Sequence, residues 1–130
     1  MGPAHPERPQ RLDVITDMLM TLRLLDLLAH HDAPRATRAQ LLRVHTPDYL
    51  DWLEAIVPES GYRDIDLDTR MTPKTPEAAL RAAGAAVLAT DLVVDGEVEN
   101  AFCPVRPPGH HASAARAMGF CFFNNVAIAA

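Results

Sequence analysis

Two histidines stand side by side at His110 and His111, directly after Arg106-Pro107-Pro108-Gly109. The run Met118-Gly119-Phe120-Cys121-Phe122-Phe123-Asn124-Asn125 follows shortly. Histidine is the side chain whose unperturbed pKa lies nearest neutrality, so adjacent imidazoles can divide labour. One stays neutral and takes a proton, while the other carries charge and stabilises negative charge. Pro107 and Pro108 restrict the backbone ahead of the pair, and Gly109 permits a close approach that a Cβ would block. Gly119 lets backbone groups come near a ligand, and Phe120 offers an apolar wall. The same residues also fit a surface loop with two incidental histidines, since His30-His31 repeats the pair elsewhere in the chain.

The elements that must position this loop are legible in outline. Pro3 to Pro9 holds three prolines in seven residues and reads as an extended lead-in. Leu12, Ile15, Leu19, Leu22 and Leu25 recur at helical spacing, which predicts an amphipathic helix to about Ala29. A shorter helical pattern runs from Thr37 to Val44. Thr46-Pro47-Asp48 is a helix start, with Thr46 as cap, Pro at the first helical position and Asp at the positive end of the dipole. Tyr49, Leu50, Trp52, Leu53 and Ile56 supply that helix's core face. Tyr62 to Lys74 reads as an acid-rich loop. Thr75-Pro76-Glu77 repeats the start signal, and a helix to about Val94 follows, with nine uncharged residues between Arg81 and Asp91. Asp95-Gly96 stops it. Ala101 to Val105 reads as a buried strand and Asn125 onward as the start of another helix. A lone strand has no ladder to join, so the pattern points to a piece of a larger α/β domain. A small complete helical protein is the competing reading.

Composition narrows the function classes. The chain has 130 residues, a net charge of −5 and 48% apolar residues. A mildly acidic chain argues against nucleic acid as a partner, and the apolar content argues against wholesale disorder. No apolar stretch reaches the roughly 20 residues needed to cross a bilayer, and the polar, Pro-rich opening is unlike a signal peptide. Two cysteines, Cys103 and Cys121, make no disulfide framework. A cytoplasmic location without membrane contact is expected; oligomeric state stays open.

The constellation from Arg106 to Ala112, with Met118 to Ala130, resembles the signature of the histone deacetylase superfamily. It is closer to the class II pattern and to bacterial acetylpolyamine amidohydrolases and acetoin utilization-type deacetylases than to class I. His5-Pro6-Glu7-Arg8-Pro9-Gln10-Arg11-Leu12, Val44-His45-Thr46-Pro47-Asp48-Tyr49-Leu50, Asp66-Leu67-Asp68-Thr69 and Glu77 to Gly84 resemble further family blocks, in order. The resemblance implies an arginase/deacetylase-like three-layer α/β fold with a parallel central sheet. Residues 1–130 would be an incomplete amino-terminal portion of it, without the first strand and the zinc-binding part. It also implies zinc-dependent hydrolysis of acetylated lysine, polyamine or related amides. His110 and His111 match the catalytic pair, with His111 as general base and later acid and His110 assisting electrostatically. Gly119 and Phe120 match the substrate tunnel, Asp68 the rim aspartate that grips substrate, with Asp66 as the competing choice, and Arg11 an arginine near an internal acetate channel. The family's zinc ligands, an Asp-x-His pair and a later Asp, have no counterpart here, so no metal ligand is assigned in this chain and the isolated chain is expected to be inactive. A non-catalytic truncated remnant, or a helical module that binds partners through exposed apolar surface, is the alternative.

The remaining polar and aromatic residues carry plainer expectations. His30-His31-Asp32 sits at a helix end, where histidine favours the negative dipole. His45 is expected to pack beside a helix cap and His5 to serve loop geometry. Cys103 reads as a buried strand thiol and Cys121 as a buried thiol near the site. Asp64, Asp66 and Asp68 alternate as in a calcium loop, but the required Gly and terminal Glu are misplaced.

Overall fold

The computed structural model describes residues 5–130, so the first residues of the expected lead-in, up to Ala4, lie outside the described part. From His5 to Pro9 the chain bends rather than extends. Helix α1 spans Gln10–Thr21. It stops well before Ala29 because Arg23 adopts a left-handed conformation, φ 55°. Leu24 N–H then donates to Leu19 O at 2.9 Å and Arg23 N–H to Met20 O at 2.9 Å. That pair of bonds is a Schellman closure, normally built on glycine. A short 3-10 turn, Leu25–Leu27, follows. No residue of α1 is buried, and Leu12, Ile15 and Leu19 of its apolar stripe are half-buried.

Helix α2, Arg38–Leu41, is shorter than the pattern from Thr37 to Val44 suggests, and a Thr37–Gln40 capping box starts it. Helix α3, Pro47–Ala55, begins as expected, with the Thr46 hydroxyl accepting from Tyr49 N–H. Its buried face is Tyr49, Leu50 and Leu53. Trp52 is a correction to the expected core, being 44% exposed. It lies on the flank of that stripe and stacks on Tyr49, ring centroids 5.9 Å apart.

The acid-rich loop contains a small antiparallel pair, β1 (Arg63–Asp64) and β2 (Arg70–Met71). Helix α4, Thr75–Val94, is the spine of the fold. Lys74, not Thr75, occupies its cap position, and Thr75 turns its hydroxyl back to accept from Thr72 N–H at 2.9 Å. Ala79, Ala83 and Val87 face the core with Leu50, Leu53, Met71, Phe122, Phe123 and Ile128. The segment around Ala36 covers a second side, with Ala36 N–H donating to Leu80 O at 2.9 Å. Gly96 ends α4 in a left-handed conformation, as its sequence position predicts. Helix α5, Asn125–Ala129, is capped by Asn124 and packs against α4.

Residues 101–105 are a correction to the expected buried strand. No strand forms there, and Ala101 and Phe102 are exposed. A strand exists only through ladder partners, and the described residues supply none at this place. The β1–β2 pair is the only sheet among the described residues, and it is antiparallel. No helix among the described residues is long and apolar enough to cross a membrane.

Candidate functional site

The turn that carries Gly119 and Phe120 is closed by Met118 N–H to Cys121 O at 3.1 Å and Cys121 N–H to Met118 O at 3.0 Å. Gly119 and Phe120 both take positive φ, 56° and 69°, as a type I′ turn requires. Glycine does this freely, whereas phenylalanine does so at a cost of about 1–3 kcal/mol. The strain is held by Phe120 N–H, which donates to the Thr69 hydroxyl at 3.0 Å. Gly119 also meets a steric demand, because a Cβ there would lie 2.8 Å from His111 Cδ2.

The histidine loop is braced from behind by two amides. Asn124 Nδ2 donates to Ala112 O at 3.1 Å, just after the pair, and Asn125 Nδ2 donates to Pro107 O at 3.4 Å, just before it. Asn124 N–H in turn donates to His45 Nε2 at 3.0 Å, and His45 Nδ1 donates to Ala114 O at 3.4 Å. This bonding assigns the proton to Nδ1. Burial pushes the His45 pKa below its usual value, against the raising effect of the Ala114 and Ser113 carbonyls. The folded state therefore favours neutral His45, while the unfolded chain protonates it near the ordinary histidine pKa. The stability this contributes is present above that ordinary value and is lost as pH falls toward the depressed folded one. Melting temperature is expected to drop below about pH 6.5. His45→Gln, which cannot charge, should flatten the part of that decline due to His45.

With the loop set, the side chains converge. Pro6, Glu7, Arg11, Asp68, Pro108, His110, His111, Gly119 and Phe120 line one open cleft of about 390 Å³. All six residues singled out in the sequence, His110, His111, Gly119, Phe120, Asp68 and Arg11, are in that lining. The two imidazole centroids are 4.3 Å apart, with the rings inclined by 53°. Both histidines are exposed, which leaves them open to a ligand entering the cleft. Asp66 is absent from the lining. Its Oδ1 accepts from Asp68 N–H at 3.1 Å and Thr69 N–H at 2.7 Å, an Asx turn that shapes the loop. Asp64 is paired with Arg70 at 2.5 Å.

Glu7 and Thr69 went unassigned in the sequence, and His5, expected only to serve loop geometry, joins them beside the cleft. Glu7, 3% exposed, accepts from Arg106 Nε at 2.6 Å and pairs with Arg11, joining the base of the proline turn to the first helix. Thr69 is fully buried under Phe120. His5 sets its ring against Phe120, centroids 4.6 Å apart and nearly perpendicular. Glu7, Thr69 and His5 each stand inside a motif quoted for the resemblance, which was the available signal. Elsewhere, His30 Nε2 donates to Leu25 O at 2.9 Å, a contact with the preceding 3-10 turn. Cys121 is buried as expected, while Cys103 is half-buried and outside any strand. Burial pushes both thiols above their ordinary pKa.

Chemically, the cleft offers paired imidazoles for proton transfer, a carboxylate at its edge, an aromatic wall and a guanidinium. Among the described residues, no group of three or more His, Cys, Asp or Glu could hold a metal ion. The residues present therefore do not fit a zinc site by themselves.

The family described as histone deacetylase domain matches residues 5–130. A probable deacetylase of Archaeoglobus fulgidus is 38% identical over 129 residues, covering 98% of this chain and 35% of that protein. The histone deacetylase-like amidohydrolase of Pseudomonas aeruginosa is 38% identical over 125 residues, 96% of this chain and 33% of that protein. The human polyamine deacetylase HDAC10 is 39% identical over 132 residues, 95% of this chain and 19% of that protein. The crystal structure of the HDA15 HD domain superposes with a TM-score of 0.89 at 34% identity, over 99% of this chain and 38% of that one. The chain thus spans about a third of the length of the first two relatives.

Proposed function

Because this chain belongs to the histone deacetylase domain family, we propose that it is the amino-terminal portion of a zinc-dependent deacetylase that hydrolyses acetyl-lysine or acetylated-amine amides. It would form part of an arginase/deacetylase-like three-layer fold whose parallel central sheet is completed by sequence outside these residues. The observation that carries the reading is the gathering of His110, His111, Asp68, Gly119, Phe120 and Arg11 along one cleft.

In this reading His111 accepts a proton as water attacks the amide carbon, then returns it to the amine nitrogen as the C–N bond breaks. His110, whose ring centroid lies 4.3 Å from that of His111, stabilises the charge that develops. Phe120 packs on the aliphatic stem of the acylated amine, and Asp68 accepts from substrate N–H groups at the mouth. Arg11 attracts the released acetate. Bound zinc would supply Lewis-acid polarisation of the carbonyl. Among the described residues no group of three or more His, Cys, Asp or Glu could hold it.

The isolated chain is expected to give no measurable turnover of an acetyl-lysine peptide with added zinc. Turnover that His111→Ala abolishes would overturn that expectation. The site assignment is tested separately by titrating the chain with an N-acetyl-lysine amide while following the His110, His111 and Phe120 resonances; shifts confined to residues remote from the cleft would refute it. A second reading, a non-catalytic module that associates through apolar surface, is favoured by the exposure of Met18 (54%), Leu22 (57%) and Leu27 (78%). A monomeric chain that melts cooperatively would count against it.

A further inference from the structure

Asp68 and Phe120 stand 52 positions apart in the chain, yet a closed circuit of contacts joins them. Phe120 N–H donates to the Thr69 hydroxyl at 3.0 Å, and that hydroxyl donates to the Asp68 carboxylate at 3.0 Å. On the other side, the Phe120 ring meets the His5 ring at 4.6 Å, and His5 Nε2 donates to Asp68 O at 3.1 Å. Glu7 N–H donates to His5 Nδ1 at 3.0 Å, so the His5 proton rests on Nε2, where the Asp68 bond needs it. Each of these four bonds sets a donor against an acceptor. The hydroxyl of Thr69 acts as acceptor and donor at once, which no apolar residue of the same shape can do.

We propose that Thr69 and His5 are positioning residues that couple the Asp68 rim to the Phe120 wall, so that the two sides of the cleft hold one geometry as a unit. The consequence for catalysis rests on the reading of this cleft as an acyl-amide site; the coupling itself does not. Two features make the circuit necessary. Phe120 holds a left-handed backbone that its side chain disfavours, φ 69°, and only the Thr69 bond fixes its amide. The Asp68 side chain is otherwise exposed, and the Thr69 hydroxyl gives it one direction.

The test is amide hydrogen exchange at Phe120 in the 130-residue chain, read by NMR in the wild type and in Thr69→Val, Thr69→Ser and His5→Phe. Thr69→Val keeps the shape and removes both bonds; exchange at Phe120 is expected to rise about ten-fold. Thr69→Ser, which keeps the hydroxyl, should restore most of the protection. His5→Phe keeps the ring and loses the bond to Asp68, and is expected to accelerate the Phe120 amide several-fold although His5 makes no bond to that amide. The last result separates coupling from simple local support. An unprotected Phe120 amide in the wild type, or an unchanged rate in either Thr69→Val or His5→Phe, would overturn the proposal. Global unfolding is identified by loss of protection at Ala83 and Val87 in α4, and in that event the serine variant alone decides, its rate at Phe120 matching wild type or not. Titration of the same samples with an N-acetyl-lysine amide keeps the functional reading distinct: intact coupling without ligand shifts would sink the substrate assignment and leave the positioning roles standing.

Discussion

Gly109→Ala is expected to lower the stability of the chain by about 3 kcal/mol, the upper end of what overpacking costs. A Cβ at this position would lie 2.5 Å from Asn125 N, 2.6 Å from Phe123 O and 2.8 Å from Asn125 Cγ. The first two are backbone atoms, so no rotamer change relieves the contact. The backbone that must give belongs to the start of α5, whose cap Asn124 also bonds Ala112 O, and to the histidine loop itself. Relief therefore moves the segment that carries His110 and His111 away from Asn124 and Asn125. Loss of stability and displacement of the pair should appear together. Thermal denaturation should show a fall in melting temperature of about 10 °C, and the His110 and His111 ring resonances should shift. A variant with wild-type melting and unmoved histidine resonances would show that the close packing of loop on helix is not present in solution.

How far the sequence foretold this site depends on distance along the chain. Local signals were legible. Thr46-Pro47-Asp48 opens α3, and Asp95-Gly96 closes α4, because a cap or a left-handed glycine acts on its own neighbours. The end of α1 was not legible, since Arg23 fills a position that sequence rules reserve for glycine. The segment 101–105 has a strand's composition, but pairing is a property of partners elsewhere, and five residues cannot report that the described residues supply none. The candidate site divides the same way. His110, His111, Gly119, Phe120, Asp68 and Arg11 stand within motifs, and the resemblance assigned each a role. The residues that hold them act across the fold: Thr69 reaches Phe120 over 51 positions, His45 reaches Asn124 over 79, and Glu7 reaches Arg106 over 99. A lone threonine or glutamate carries no mark of such a partner. The antiparallel β1–β2 pair was missed for a related reason, as two residues per strand give no alternation to read.

Glu7→Ala is expected to cost about 2–3 kcal/mol, mostly because two guanidiniums are left without their carboxylate. Glu7 is 3% exposed and answers two guanidiniums, Arg106 at 2.6 Å and Arg11 in the first turn of α1. Removing one member of a buried pair commonly costs 3–5 kcal/mol, because its partner stays desolvated without compensation. Here the Arg106 side chain keeps 23% of its exposure and Arg11 keeps 52%, so water recovers part of the loss and the figure falls below that range. Arg106 also retains its bond to Glu7 O at 3.2 Å, which the substitution spares. Glu7→Gln should cost less, about 1 kcal/mol, since the amide oxygen still accepts from Arg106 while the charge is lost. The ordering Ala worse than Gln separates charge-assisted bonding from cavity formation, and denaturant midpoints at constant m-value measure it. The functional consequence follows from position: Arg106 opens the Pro107-Pro108 turn that leads into His110, and Arg11 lines the same cleft. Loss of the Glu7 carboxylate releases Arg11 and leaves Arg106 with only its bond to the Glu7 carbonyl. If Ala and Gln variants melt together with the wild type, the ion cluster is a surface contact and the proline turn is held by Asn125 alone.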